Sequence, residues 1–468
     1  MSAPDGYSIE TIDPPDAPLE VGGLGTREDG TLVASTRPGQ VWEYDPGAGE
    51  WSLFTDGLHQ ALGVWIDDDS GDVFTVQKPE LTRLVDEDGD GTADAYHTIN
   101  DEWGYQGNYH TFAFGPVRDS EGNFYLTLNL GHGAGAPTVG GAIMEYAAPY
   151  RGWSIKVTPD GEFVPYASGL RSPAGLGINT DDEVFYTDNQ GDWVPVCHLS
   201  LIEEDAFYGH PASLYGHPEF EDRDLNGIPA SEYDGMRKRP AVWIPYSLSN
   251  STAGLTFDET GGAFGPFEGQ VFMGEQTQSR VLRAAIEEVN GQYQGAVFNF
   301  ADALQCGTIR EAFSPDGSSL WLGQTQRGWG SSGSAPYGVQ RIDYDGETTP
   351  FEMESIGVRT DGFDIAFTKP ADAGDAGDPG NYDVSHWTYN YSDSYGSGRV
   401  NETSVEVSGV DVSGGGETAT IQLPSMEASP EDGSLVGRVY QIVVDVDADD
   451  GSAMMNSTGW YTVNELPQ

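Results

Sequence analysis

A histidine, three arginines and one amide–glycine–acid turn are the residues of this chain best placed for chemistry. His110 lies in Gly107-Asn108-Tyr109-His110-Thr111-Phe112-Ala113-Phe114-Gly115-Pro116, directly before an apolar strand. An imidazole titrates near neutrality and so suits a general base. A hydrogen-bonded structural histidine is the plainer alternative. Arg171 sits in Gly169-Leu170-Arg171-Ser172-Pro173-Ala174-Gly175-Leu176-Gly177. From such a turn a guanidinium can reach into a channel and hold carboxylates bidentately. One strand later come Gln190, Gly191 and Asp192, with side-chain and backbone oxygens of the kind calcium takes. Arg310 opens a further strand, and Arg327 stands two residues before Trp329. Arginine beside tryptophan suits a planar anion. Turns with surface arginines would look the same.

A second oxygen-rich stretch is Asp86-Glu87-Asp88-Gly89-Asp90-Gly91-Thr92-Ala93-Asp94. Asp86, Asp88, Asp90 and Asp94 fall at positions 1, 3, 5 and 9 of a calcium loop, and Gly91 at position 6. Position 12 is His97, not glutamate. A structural calcium site and a plain acidic turn both fit. Asp222, Asp224 and Asn226 form a weaker copy. No Gly-x-Ser-x-Gly elbow, P-loop or dinucleotide fingerprint occurs, which argues against serine hydrolases and NTPases.

These residues need a scaffold of strands. Glycine and proline are frequent and helical periodicity is nearly absent. Short β segments recur between turn residues: Gly30-Thr-Leu-Val-Ala-Ser, Gly71-Asp-Val-Phe-Thr-Val, Gly122-Asn-Phe-Tyr-Leu-Thr, Glu183-Val-Phe-Tyr-Thr-Asp, Gly269-Gln-Val-Phe-Met-Gly and Ser319-Leu-Trp-Leu-Gly. Six copies predict an all-β chain with a six-bladed β-propeller over 1–352 and function on the loops around its axis. The pattern changes near 352, where alternating strands predict a β-sandwich over 353–468, fibronectin-like or immunoglobulin-like, with nothing catalytic in it.

The 468 residues carry 21 basic and 75 acidic side chains, a net charge of −54. This balance argues against nucleic acid as a partner. With 37% apolar residues the chain is not a disordered acidic tail. Lysine occurs only at 78, 156, 238 and 369. Acidic residues spread along a lysine-poor chain suit molar salt, where screening falls to ~3 Å and like charges hardly repel. An extremely halophilic, archaeal source is the expectation. The two cysteines, Cys197 and Cys306, form no CxxC motif. No apolar run reaches transmembrane length. An extracytoplasmic location is expected, with a cytoplasmic one left open.

At these residues the chain resembles the soluble quinoprotein sugar dehydrogenases of the glucose/sorbosone dehydrogenase family. The shared features are the histidine before an FGP-type strand, the Gly-x-Arg-Ser-Pro-x-Gly-Leu turn and the Gln-Gly turn that follows. The resemblance implies pyrroloquinoline quinone (PQQ) and calcium as cofactors. It implies a sugar substrate oxidised at C1 to the lactone, and an external electron acceptor. His110 would be the base and Arg171 would lie beside the quinone. Gln60, Gln190, Arg310, Arg327 and Trp329 would face the cofactor. The backbone carbonyls of Gly191 and Asp192, with Gln190, would hold the catalytic calcium. Trp193 and Trp243 would be free to stack on a ligand. The chain departs from the family at Tyr109, where the glucose enzymes carry an acid, and at Gln276, Thr277 and Gln278, where a cofactor-contacting lysine is expected. A non-catalytic propeller that binds a glycan or a protein, and a carbohydrate lyase on the same scaffold, are the rival readings.

Overall fold

The computed structural model describes residues 1–430 and 433–468. Six four-stranded antiparallel sheets stand around one axis as a β-propeller. Their inner strands are Val21–Thr26, Val64–Ile66, Ala113–Arg118, Pro173–Ile178, Thr252–Phe257 and Thr308–Phe313. The ring closes on the sixth sheet, where the N-terminal strand Tyr7–Ile12 pairs with Tyr337–Tyr344 as the outermost strand. Closure therefore joins the two ends of the propeller within one sheet.

The six β segments expected from sequence are the second strands of the six blades, from Leu32–Thr36 to Ser319–Thr325. Every described residue in these six strands is buried. A strand covered on both faces is mostly apolar, and its few polar side chains lie towards its ends, which explains why these runs stood out. Hydroxyls near the ends of four of them donate to backbone in or just before an inner strand: Ser35 to Ala61 O, Thr75 to Gly63 O, Thr127 to Pro173 O and Thr187 to Ala253 O. Blade 5 carries Gly274 instead, and the Glu311 carboxylate from blade 6 lies in the space a side chain would fill.

Residues 353–468 build two facing sheets. One contains Met353–Arg359, Gly362–Phe367, Thr418–Gln422 and Gly409–Val412. The other contains Thr458–Thr462, Leu435–Val444, Tyr382–Asn390 and Val400–Val405. Phe363, Ile365, Tyr440, Ile442 and Tyr461 pack between them. The second sheet is not detached from the propeller. Thr458–Thr462 pairs with the outer strand of blade 5, Gln292–Ala301, so eight strands run as one sheet. Buried Arg283 reinforces the joint: its guanidinium lies between the rings of Phe267 and Phe298 and donates to Glu354 O and Met353 O. This continuity fixes how the last hundred residues lie against the propeller.

Candidate functional site

A cleft of ≈ 630 Å³ opens at one end of the propeller axis, within the ~300–1,000 Å³ typical of small-ligand sites. Its floor is a narrow neck that includes Phe112, Phe114, Arg310 and Arg327. A second cavity of ≈ 220 Å³ lies beyond, lined in part by Arg310 and Glu311. Arg310 lines both and marks the division between them.

His110 and Arg171 both line the cleft. The turn before the blade 3 inner strand carries His110. Buried Arg151 clamps that turn by donating to Thr111 O and Phe112 O. Nδ1 of His110 lies 3.0 Å from Leu130 O. A carbonyl can only accept, so Nδ1 carries the proton and Nε2 keeps its lone pair. Burial lowers the His110 pKa to about 4, and the charge of Arg171 adds to this. The ring is therefore neutral near pH 7, as a base must be.

Asn108 organises the surroundings. Its Oδ1 accepts from His110 N and His132 N, and its Nδ2 donates to His132 O. Its carbonyl accepts from Lys78 Nζ. Tyr109 OH lies 3.1 Å from His132 Nδ1. Sequence reasoning assigned no role to His132 or Lys78. Lys78 comes from the turn after the second strand of blade 2, and no local signal marks it as reaching Asn108. It is buried, and desolvation lowers its pKa to about 8.

Arg171 does not stand free. Its Nε and Nη2 donate to Asp192 Oδ1 at 3.0 and 2.9 Å. Asp192 Oδ2 accepts from His210 Nε2 at 3.0 Å and from the N–H groups of Ile143 and Met144. Asp188 caps the turn by accepting from Arg171 N and Ser172 N. The histidine partner was not foreseen, because 18 residues and a strand separate it from Asp192.

Two of the oxygens expected to hold the catalytic calcium, Gly191 O and Gln190 Oε1, already accept hydrogen bonds. The Gly191 carbonyl accepts from Val194 N and Gly396 N. The Asp192 carboxylate is saturated as described, but the ligand expected from Asp192 is its backbone carbonyl. Gln190 Oε1 accepts from Cys197 Sγ–H at 2.9 Å. Calcium takes six to eight oxygens, and Gly191 O and Gln190 Oε1 would have to give up donors to join such a shell. In the other stretch, Asp86, Asp88 and Asp94 bring carboxylate oxygens within 4.8 Å of one another, without Asp90. Asp86 there accepts from the N–H groups of Gly89, Asp90 and Gly91.

The residues expected to face a planar anion separate into three groups. Trp329 lines both the cleft and its neck. Arg327 lines the neck, with its guanidinium over Phe112 and Phe114 at 5.2 and 5.4 Å and its Nε buried without an acceptor. Arg310 lies over Phe114 and donates to Leu62 O and Ala174 O. Gln60 lines neither cavity, although its Oε1 is buried without a donor. Trp193 and Trp243 are core residues, packed among Tyr233, Tyr389 and Tyr391. Their burial removes them as stacking surfaces.

The cleft is therefore cationic in a strongly acidic protein. Among the described residues, Lys78, Arg310 and Arg327 make no ion pair, and the acceptors found for Lys78 and Arg310 are carbonyls. Its rim is aromatic: Tyr109, Trp329 and Tyr395 are 51%, 53% and 58% exposed. Such a site can take an anionic planar group at its neck and an uncharged ring at its mouth.

Residues 43–318 match the family model described as "Domain of unknown function (DUF7133)". No curated protein matches the sequence. Several solved structures are similar. The PQQ-bound form of an aldose sugar dehydrogenase from Streptomyces coelicolor is 16% identical, with 73% of this chain and 99% of that chain covered and a TM-score of 0.51. The PQQ domain of a pyranose dehydrogenase from Coprinopsis cinerea is 11% identical, with 73% and 96% covered and a TM-score of 0.52. A carbohydrate-active enzyme of family AA12 from Trichoderma reesei is 14% identical, with 73% and 97% covered and a TM-score of 0.50. At these identities the likeness is one of fold. Among the described residues no helix is long and apolar enough to cross a membrane.

Proposed function

The chain belongs to the DUF7133 family, and we propose that this member oxidises an aldose sugar at its anomeric carbon with a quinone cofactor bound at the neck of the axial cleft. The observation that carries the reading is the pairing of a neutral His110, its Nε2 lone pair free, with unpaired cations deeper in the same cleft. The printed names of the similar structures, an aldose sugar dehydrogenase with PQQ and the PQQ domain of a pyranose dehydrogenase, agree with it.

The residues present fit a planar polycarboxylate. The buried Nε of Arg327 lacks an acceptor, and a ligand carboxylate would supply one. Lys78 and Arg310 add positive charge around Phe112 and Phe114. Trp329 offers a ring face at the entrance. PQQ, when bound, supplies a two-electron acceptor.

The chain's own residues do the remaining work. Nε2 of His110 takes the proton of the anomeric hydroxyl. Leu130 O holds the ring in the tautomer that can accept it. Arg171 keeps a fixed positive charge in the wall through its bond to Asp192. The aromatic rim binds the sugar ring and narrows water access. No step is assigned to calcium. Electrons leave to an external acceptor, which a redox dye replaces in an assay.

The test is titration of PQQ absorbance with purified protein in molar KCl, for wild type and Arg327→Gln, followed by dye reduction with a panel of aldoses. Stoichiometric binding that weakens in the variant, with sugar-dependent dye reduction, is the expected result. No binding by folded protein would sink the reading. Unsaturated product formed without quinone would favour a lyase.

A further inference from the structure

The sequence of residues 353–468 suggested nothing catalytic, yet one of their loops reaches the cleft. The segment Tyr391–Ser397 leaves the sandwich after strand Tyr382–Asn390 and lies along the turn that carries Gly191 and Asp192. Ser392 O accepts from Trp193 N at 2.8 Å. Gly396 N donates to Gly191 O at 3.0 Å, and Ser397 N to Pro195 O at 2.8 Å. Asp393 Oδ2 accepts from Gly141 N, and the Tyr391 ring packs on Trp193 at 5.2 Å. Gly396 has φ 68°, and a Cβ there would collide with the Tyr246 hydroxyl. The loop is thus held on both flanks at a tight backbone approach.

Between these anchors stands Tyr395, more than half exposed and lining the cleft. Its ring lies 5.3 Å from Arg171 Cζ. Among the described residues ten large hydrophobics are exposed, and four of them line this one cleft: Tyr109, Ile143, Trp329 and Tyr395. Scattered exposed apolar residues need no explanation, but a cluster around one cavity marks a binding surface. An aromatic ring kept in solvent on a rigid loop has little to gain from the fold itself. It gains when an uncharged ring covers it.

We propose that Tyr395 is a specificity-determining platform on which a pyranose ring of the substrate stacks, so that the C-terminal sheets complete the sugar site of the propeller. The proposal rests on reading the cleft as a sugar site and is independent of the quinone. Trp329 and Tyr109 stand on the propeller's own loops. Tyr395 is the contribution that the propeller alone lacks, and it ties substrate choice to the joint between blade 5 and the last hundred residues.

The experiment is saturation-transfer NMR with D-glucose and with maltose in molar KCl, on the full chain, comparing wild type with Tyr395→Ala and Tyr395→Phe. Equal near-ultraviolet circular dichroism serves as the folding control, and the exposed position should keep it unchanged. We expect transfer to at least one of the two sugars in wild type, kept in Tyr395→Phe and weakened about five-fold in Tyr395→Ala. Unchanged transfer in Tyr395→Ala would overturn the platform, as would no transfer to either sugar in wild type. Transfer that requires Tyr395 in a protein that binds no PQQ would remove the dehydrogenase reading and leave the platform standing. Where dye reduction is active, Tyr395→Ala should raise KM about five-fold with kcat nearly constant. A fall in kcat at constant KM would mean that Tyr395 acts through Arg171, and would also overturn the proposal.

Discussion

Arg171 and Asp192 meet at 2.9 Å inside the wall of the cleft, with both side chains buried. His210 holds the other carboxylate oxygen at 3.0 Å. Burial alone would raise the Asp192 pKa, but the His210 hydrogen bond and the Arg171 charge outweigh it and hold the carboxyl well below its usual range. Removing one partner of such a pair leaves the other buried and uncompensated. Asp192→Asn should therefore cost about 3–5 kcal/mol in chemical unfolding at high salt. The sign with pH follows from the lowered pKa. The stabilisation is present above the unfolded carboxylate pKa and is lost as pH falls below it. A loss under about 1 kcal/mol would show that the pair carries little of the fold.

The pH profile of oxidation should report the lowered pKa of His110. A base with a pKa of about 4 stays deprotonated through the mildly acidic range. The acidic limb of kcat/KM should stay flat from pH 7 down to about pH 5, below the ordinary histidine value of ~6.5. A limb with its midpoint near 6.5 would rule out the buried, neutral histidine as the base. The same shift lowers stability as pH falls from 6.5 towards 4, because the unfolded chain binds a proton that the native ring refuses. His110→Gln should remove the His110 share of that slope and leave the share of buried His198, whose pKa is also lowered.

Chelation separates this site from one built on calcium. The Gly191 carbonyl, the Asp192 carboxylate and Gln190 Oε1 already have donors. EGTA should leave PQQ affinity within about two-fold of its starting value. A loss of ten-fold or more, restored by calcium and not by magnesium, would mean that these oxygens give up their donors to a cation.

Glu311 predicts a variant more stable than the wild type. Both its oxygens are buried without a hydrogen-bond partner, against Gly254 and Gly274. Burial raises its pKa to about 8, opposed in part by Arg310. The native state then binds a proton that the unfolded chain releases above 4.5. Its contribution is full below 4.5 and is lost as pH rises through 8. Glu311→Gln should flatten that fall and add about 1–2 kcal/mol at pH 8. Destabilisation of similar size at pH 8 would show that the carboxylate has a partner in solution.

The sequence by itself determined the six-fold repeat of strands, because the second strand of each blade is buried on both faces and so opens on an apolar run. It also placed His110, Arg171 and Arg310 at or just before inner strands, since turn residues followed by an apolar run mark where a chain enters a blade. The availability of each group was not legible in the same way. Whether the Gly191 carbonyl is free depends on Gly396, 205 positions along the chain. Whether Asp192 can meet a cation depends on His210 and Arg171, and whether Trp193 meets solvent depends on Tyr391. Tyr395 enters the cleft from a sandwich loop, and Lys78 reaches Asn108 O from a blade 2 turn; no local periodicity signals either contact. Apolar periodicity reports which face of a strand is covered. Only the tertiary structure decides which oxygen is taken and which cation is left unpaired, because hydrogen bonds between distant segments are settled when the ring closes.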